Sequence, residues 1–213
     1  MKIGILSMQK ILNYGSFLQA YSLKKEFEKR GHEVYFIDIE NGKQIVKSEV
    51  PKVNYFRKLI QGKIFKRIQN YFMSKKMSRI HGEDYTKYLE TDKVLPLDQN
   101  FDLVIIGSDE VFNCTTPSRW GFSTQLFGKI DRANRVVTYA ASCGQTNYEK
   151  VKELGLVDEL REAMNNVYSF SVRDENTREF VKNITQKESF LHLDPVFLYN
   201  YEFEMQPDRK SVV

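Results

Sequence analysis

The stretch from Lys2 to Ile39, "KIGILSMQKILNYGSFLQAYSLKKEFEKRGHEVYFIDI", decides the fold. It opens on "KIGILS", a short apolar run of strand character, and then passes through Asn13, Tyr14 and Gly15, which are poor helix formers. A helix beginning near Ser16 is predicted next, with Ala20, Leu23 and Phe27 on one face and Gly31 placed as its C-terminal cap. "EVYFIDI" follows as a second strand. Strand, helix and strand with connections this short make a right-handed βαβ unit, hence a parallel sheet.

The rest of the chain repeats that alternation. "FDLVIIGSD", "NRVVTYAAS", "VYSFSVRD" and "SFLHLDP" are β-branched or aromatic runs that end abruptly in small or polar residues. Between the later runs lie the helix-length segments "NYEKVKELGLVDELREAMN" and "NTREFVKNI". The pattern predicts a doubly wound, mostly parallel, Rossmann-like α/β sheet of about six strands with helices on both faces. No internal repeat and no low-complexity linker interrupts it.

The 213 residues, 41% hydrophobic with 15 Phe and 12 Tyr, suffice for a well-buried core. No run of about eighteen apolar residues occurs, and "MKIGILSMQK" has too short an apolar block for a secretory signal, so a cytoplasmic protein is expected. Two cysteines, Cys114 and Cys143, without a CxxC motif and with three scattered histidines, predict reduced thiols, no disulfide framework and no metal site.

The net charge of +4 is unevenly spread: Lys43 to Arg79 holds eleven Lys or Arg and one acid, Glu49. Within residues 51–90, Phe56, Ile60, Ile64, Ile68 and Phe72 recur at every fourth position, which predicts a basic amphipathic helical insertion. Such a helix either packs its apolar stripe on the domain, with a solvated basic face, or meets an anionic membrane surface or acidic carbohydrate. The lipid reading would place the protein peripherally at the inner face of the membrane. Nucleic acid is not expected as a partner, because no binding motif accompanies the charge.

In an open parallel sheet, ligands bind beyond the carboxyl ends of the strands. The polar residues fall there: Ser7 with Asn13 to Gly15, then Gly107, Ser108 and Asp109, then Ser142 and Gly144, then Arg173 and Asp174, and last Asp194 with Pro195. The N-terminus of the first helix, with Gly15 permitting close approach, suits an anion or a carbohydrate oxygen. Neither GxGxxG nor GxxxxGK[ST] is present, so no dinucleotide fingerprint or P-loop is expected, and Asp38 reads as a turn or capping residue.

Asp109 is a candidate general base or hydroxyl acceptor, with capping of a following helix as the alternative. Ser142 is not in a GxSxG elbow, and Cys143 reads as a packed thiol. Arg173 either forks onto a phosphate or carboxylate or pairs with Asp174 or Asp194. His32 and His81 read as surface residues and His192 as structural.

Five segments in order, "NYGSFLQAYSL", "FDLVIIGSDEVFN", "YAASCG", "SVRD" and "LDPV", make the chain resemble the polysaccharide pyruvyl transferase family from Lys2 to Leu198. The resemblance implies a glycosyltransferase-B-like, two-domain fold and transfer of the pyruvyl group of phosphoenolpyruvate to two sugar hydroxyls as a ketal. Phosphoenolpyruvate is then the donor substrate, no cofactor is required, and the acceptor is a sugar or polysaccharide precursor of the cell envelope. Carried over by position, Asn13, Tyr14, Gly15 and Gln19 line the cleft, and Asp109 orients or deprotonates an acceptor hydroxyl. Gly107 and Ser108 allow close approach, Ser142 donates a hydrogen bond, and Arg173 faces the anionic donor or braces the rim.

Members of the family typically carry a second α/β half. Residues 1–205 are therefore expected to form the amino-terminal domain and 206–213 the start of another, with the donor-binding basic groups mainly beyond. Two other readings share these features: a glycosyltransferase using a nucleotide-sugar donor, and a non-catalytic carbohydrate-binding half-enzyme. The oligomeric state is left open.

Overall fold

In the computed structural model, which describes residues 1–11, 13–46, 82 and 86–201, six parallel strands form one sheet. They are β1 (Lys2–Leu6), β2 (Glu33–Phe36), β3 (Leu103–Asp109), β4 (Val136–Ala141), β5 (Val167–Val172) and β6 (Ser189–Leu191). Their spatial order is β2-β1-β3-β4-β5-β6, with every neighbouring pair parallel. The chain steps outward from β1 to β2, then returns past β1 to β3. That reversal opens a crevice beyond the carboxyl ends of β1 and β3, the place where such sheets take ligands. The basic helical insertion expected over 51–90 and the segment 206–213 lie largely or wholly outside the described residues.

Alternation along the strands divides the apolar residues between two cores. Ile3, Ile5, Val34, Phe36 and Ile105 pack on one face with Ala20, Tyr21 and Leu23 of helix α1 (Tyr14–Lys29). Leu6, Val104, Ile106, Val136, Phe170 and Val172 pack on the other. There they meet Val151 of α2 (Tyr148–Glu153), Leu160 and Met164 of α3 (Val157–Asn165), and Phe180 and Ile184 of α4 (Glu175–Thr185). Helices on both faces are what a doubly wound sheet requires.

Local chemistry moves some boundaries. α1 begins at Tyr14, two residues before the expected Ser16, because Asn13 caps it: the Asn13 side chain accepts a hydrogen bond from Gly15 N at 2.8 Å. At its other end Gly31 adopts φ +79°, the left-handed conformation a C-terminal glycine cap uses. The segment expected as one helix over 147–165 is two helices, broken where Gly155 turns to φ +67°.

α1 is covered on its outer side as well. Tyr21 meets the rings of Tyr88 and Tyr199 edge-on, and buried Lys24 pairs with Glu28 at 2.7 Å and Glu90 at 3.0 Å. A buried ammonium held by two carboxylates is tolerable; one left alone is not. The Lys24 hydrogen bond and charge hold the Glu90 carboxyl below its ordinary pKa.

Between β4 and β5 the ladder is irregular, and hydroxyls replace missing backbone partners. Ala140 N donates to Ser171 Oγ at 2.9 Å, and Ser171 N donates to Thr138 Oγ1 at 2.8 Å. His192, just past the end of β6, joins this network through Nδ1 and Ser171 Oγ at 2.8 Å, with its ring stacked on Tyr139, so it is structural as expected.

Candidate functional site: a cleft at the β1/β3 crossover

β3 ends where the chain must leave the sheet, and its last three residues serve different purposes. Gly107, at φ +123°, lies so close to β4 that an added Cβ would sit 2.3 Å from Tyr139 O. Its lack of a side chain thus answers to the neighbouring strand. Ser108 is fully buried, with its carbonyl accepting from Ser7 Oγ at 3.2 Å and its own hydroxyl without a partner. Asp109 emerges at φ +86° and carries its carboxylate into the crevice.

That carboxylate is held at both oxygens. Oδ1 accepts from Glu110 N at 2.8 Å, and Oδ2 accepts from Ser16 Oγ in the first turn of α1. No helix follows Asp109 directly, so the capping alternative does not apply; its fixed partner is the helix before it in sequence. Charge-assisted bonds of this kind orient a carboxylate while leaving lone pairs for a hydroxyl.

A cavity of about 480 Å³ lies over this pair. Its walls include Asn13, Ser16, Asp109, Glu110, Asn113, Arg119 and Trp120. Asn113 Nδ2 donates to Glu110 Oε2 at 2.8 Å, which turns the second carboxylate toward the same space. Gly144 makes room for it, since an added Cβ there would lie 2.4 Å from Glu110 Oε2. A smaller cavity of about 210 Å³ adjoins, lined by Ser7, Gln9, Lys10, Asp38, Ile39, Asn41, Arg119 and Trp120.

Arg119 and Trp120 line both spaces, and the loop that carries them is pinned from outside. Gly42 N donates to Trp120 O at 2.8 Å, and Lys43 and Phe122 exchange backbone hydrogen bonds of 3.1 and 2.8 Å. Gly121, at φ +71°, faces Lys43 O, which would lie 2.6 Å from an added Cβ. This wall was missed from sequence, as were Glu110 and Asn113. Its only local signal is that "CTTPSRWGF", 114–122, follows a strand end and holds the single Trp of the chain.

The remaining sequence-predicted residues separate into groups. Asn13 lines the larger cavity, while Tyr14 and Gly15 sit exposed in the first turn of α1 beside it. Gln19 and Arg173 converge on Asp194: Gln19 Nε2 and Arg173 Nη1 both donate to Oδ2, the latter at 3.2 Å. Of the pairings open to Arg173, the one with Asp194 is formed, and it braces the rim. Ser142 donates its hydroxyl proton to Asp174 Oδ2 at 2.8 Å, so the donor expected to serve a ligand is engaged in the protein. Gln19, Ser142 and Arg173 line neither cavity.

Asp174 is a capping residue of α4, its Oδ1 accepting from Thr177 N at 2.8 Å and Thr177 Oγ1 at 2.7 Å. Burial pushes its pKa up, but the Thr177 and Ser142 hydrogen bonds and the Arg173 charge outweigh it and leave the carboxyl below its ordinary 3.8. A depressed carboxylate stabilises the fold above its unfolded pKa, and that stabilisation is lost as pH falls through the folded value. In thermal melts from pH 6 to pH 3, Asp174→Asn is therefore expected to show a lower Tm at pH 6 and a shallower acid decline than the wild type; parallel curves would contradict the assignment.

Both thiols are buried. Burial pushes Cys114 up to about 12 and Cys143 up to about 11, despite hydrogen bonds from Thr146 and Thr177 that act the other way. Since the thiolate is the nucleophile, native protein at pH 7.5 should resist a thiol-specific disulfide reagent, and both residues should react in denaturant. Rapid native labelling of Cys143 would contradict its reading as a packed thiol.

Among the described residues, no cluster of three or more His, Cys, Asp or Glu could hold a metal ion, and no helix is long and apolar enough to cross a membrane. No curated protein and no solved structure matches the chain. A family model described as polysaccharide pyruvyl transferase matches residues 13–211. That match starts at the Asn13 cap, takes in Asp109 and the wall around Trp120, and passes beyond Asp194; the chain belongs to the polysaccharide pyruvyl transferase family.

Proposed function

We propose that this protein transfers the pyruvyl group of phosphoenolpyruvate to two hydroxyls of one sugar unit, and that the cleft at the β1/β3 crossover holds the acceptor. The observation that carries the reading is the pair of oriented carboxylates, Asp109 and Glu110, in a cavity whose other walls combine amides, hydroxyls, one guanidinium and an indole with the apolar side chains of Met8, Ile11 and Pro117. Carboxylates and amides satisfy sugar hydroxyls, and an indole covers the apolar face of a ring.

In the reaction, two sugar O–H bonds break and two C–O bonds form at the carbon that carried phosphate. One proton goes to the donor methylene, which becomes the methyl group, and the other leaves with phosphate. Asp109 would accept a hydroxyl proton as the oxygen attacks, and Glu110 would orient the second hydroxyl. Arg119, which forms no ion pair among the described residues, would offer positive charge to the donor carboxylate. The remaining donor charge would be met outside the described residues, in a second half closing over the cleft. A cytoplasmic site of action in cell-envelope polysaccharide synthesis follows from this reading.

The test is phosphate release from phosphoenolpyruvate across a panel of sugar acceptors. Release should require an acceptor, and the product should gain a pyruvate ketal by mass. Turnover of a nucleotide sugar without phosphoenolpyruvate would overturn the proposal in favour of a glycosyltransferase.

A further inference from the structure

The smaller cavity is not needed to hold a single reacting sugar. At about 210 Å³ it also falls below the roughly 300–1,000 Å³ of ordinary small-molecule pockets. An independent ligand therefore fits it poorly. Its position makes sense as an extension, because Arg119 and Trp120 form a wall common to it and to the larger cavity.

Its chemistry points to a neutral polyhydroxyl ligand. The deep polar groups are already engaged: Gln9 Nε2 donates to Ile37 O at 2.8 Å, and Gln9 Oε1 accepts from Ser7 N at 3.3 Å. What remains for a ligand is the Lys10–Asp38 pair, closed at 2.6 Å, the Asn41 amide, the Arg119 guanidinium on the shared wall, and the apolar surfaces of Ile39 and Trp120. A closed ion pair offers donors and acceptors without net charge. A free anion would meet Asp38 and a free cation would meet Lys10 and Arg119, whereas sugar hydroxyls can use all of them.

We infer that the smaller cavity is a second sugar subsite, so that the acceptor is a glycan of at least two units, with the reacting unit over Asp109 and Glu110 and its neighbour over Lys10, Asp38 and Asn41. The inference rests on the acceptor reading of the larger cavity. It makes this face selective for a linkage rather than for one ring.

Trp120 is the single Trp of the chain and borders both subsites, so its fluorescence reports binding directly. The experiment titrates the full chain with a set of hexoses and with disaccharides in which each is the terminal unit. The best disaccharide should bind at least about tenfold tighter than its terminal hexose, a difference worth about 1.4 kcal/mol. Asn41→Trp, which fills the smaller cavity from an exposed position, should collapse that ratio toward one, with its own indole controlled by titrating an Asn41→Phe variant in parallel. Asp38→Ala should reduce the ratio as well.

Equal affinity for hexose and disaccharide would overturn the second subsite and leave the acceptor reading intact. A disaccharide preference unaffected by all three variants would overturn it too, because the added contacts would then lie elsewhere. Absence of binding by every sugar would overturn both the subsite and the acceptor reading.

Discussion

Asp109→Asn is expected to lower acceptor-dependent phosphate release from phosphoenolpyruvate by about 10²–10⁴-fold, the span typical for loss of a positioned general base. The substitution keeps the shape of the side chain. Its carboxamide oxygen can still accept from Glu110 N, where the carboxylate does so at 2.8 Å, and Ser16 Oγ can rotate its proton to accept from the new amide. The protein should therefore fold and melt cooperatively, and the loss should fall on kcat more than on KM. Ser16→Ala removes one orienting hydrogen bond but leaves the base, so its loss should be clearly smaller. Near-normal turnover by Asp109→Asn would remove it from the role of base.

Gly42→Ala should produce the largest stability loss of any single methyl addition at a described glycine. The new Cβ would lie 1.7 Å from Phe122 O and 2.4 Å from Phe122 C, both backbone atoms that no rotamer change can move. Relief requires opening the bridge between the 42–43 segment and the 120–122 loop. A cost of about 2–4 kcal/mol is expected for such a clash, equivalent to roughly 5–15 °C in Tm at this chain length.

The same change should move the cleft wall. Trp120 is 7% exposed, and its carbonyl receives the Gly42 N–H, so separation of the bridge should red-shift the emission of the only Trp in the chain. Gly31→Ala is the useful comparison. No atom lies within 4 Å of its added Cβ, but φ is +79°, so only the left-handed strain of about 1–2 kcal/mol applies and the emission should not shift. A Gly42→Ala protein with unchanged Tm and emission would contradict the tight bridge.

What could be read along the chain and what could not are separated by the range of the interactions involved. The N-terminal turn of α1 was legible as a polar element at a strand end, because "NYGS" and the strand before it are contiguous. That Asn13 would be the cap, and so start the helix two residues early, turned on one local hydrogen bond that competes with low helix propensity. Asp109 was legible as a carboxylate at a strand end. Its bond to Ser16, 93 residues away in sequence, was not.

Gln19, Ser142 and Arg173 show the limit from the other side. The family resemblance set all three along one cleft, with pairing to Asp194 already an alternative for Arg173. Folding gives Gln19 and Arg173 a shared carboxylate, Asp194, and Ser142 a capping carboxylate, Asp174. Buried polar groups take the nearest compatible partner, and here those partners belong to the protein.

By itself the amino-acid sequence determined the order of strands and helices, the parallel α/β class and the family, because apolar periodicity and short motifs are local properties of the chain. Only the tertiary structure decided which polar residues share a cavity. The return of the chain from β2 past β1 to β3 sets Asp109 against Ser16, and the glycine-tight bridge at Gly42 brings Arg119 and Trp120 over both. Those contacts join residues tens of positions apart, and their geometry follows from backbone packing that no local pattern encodes.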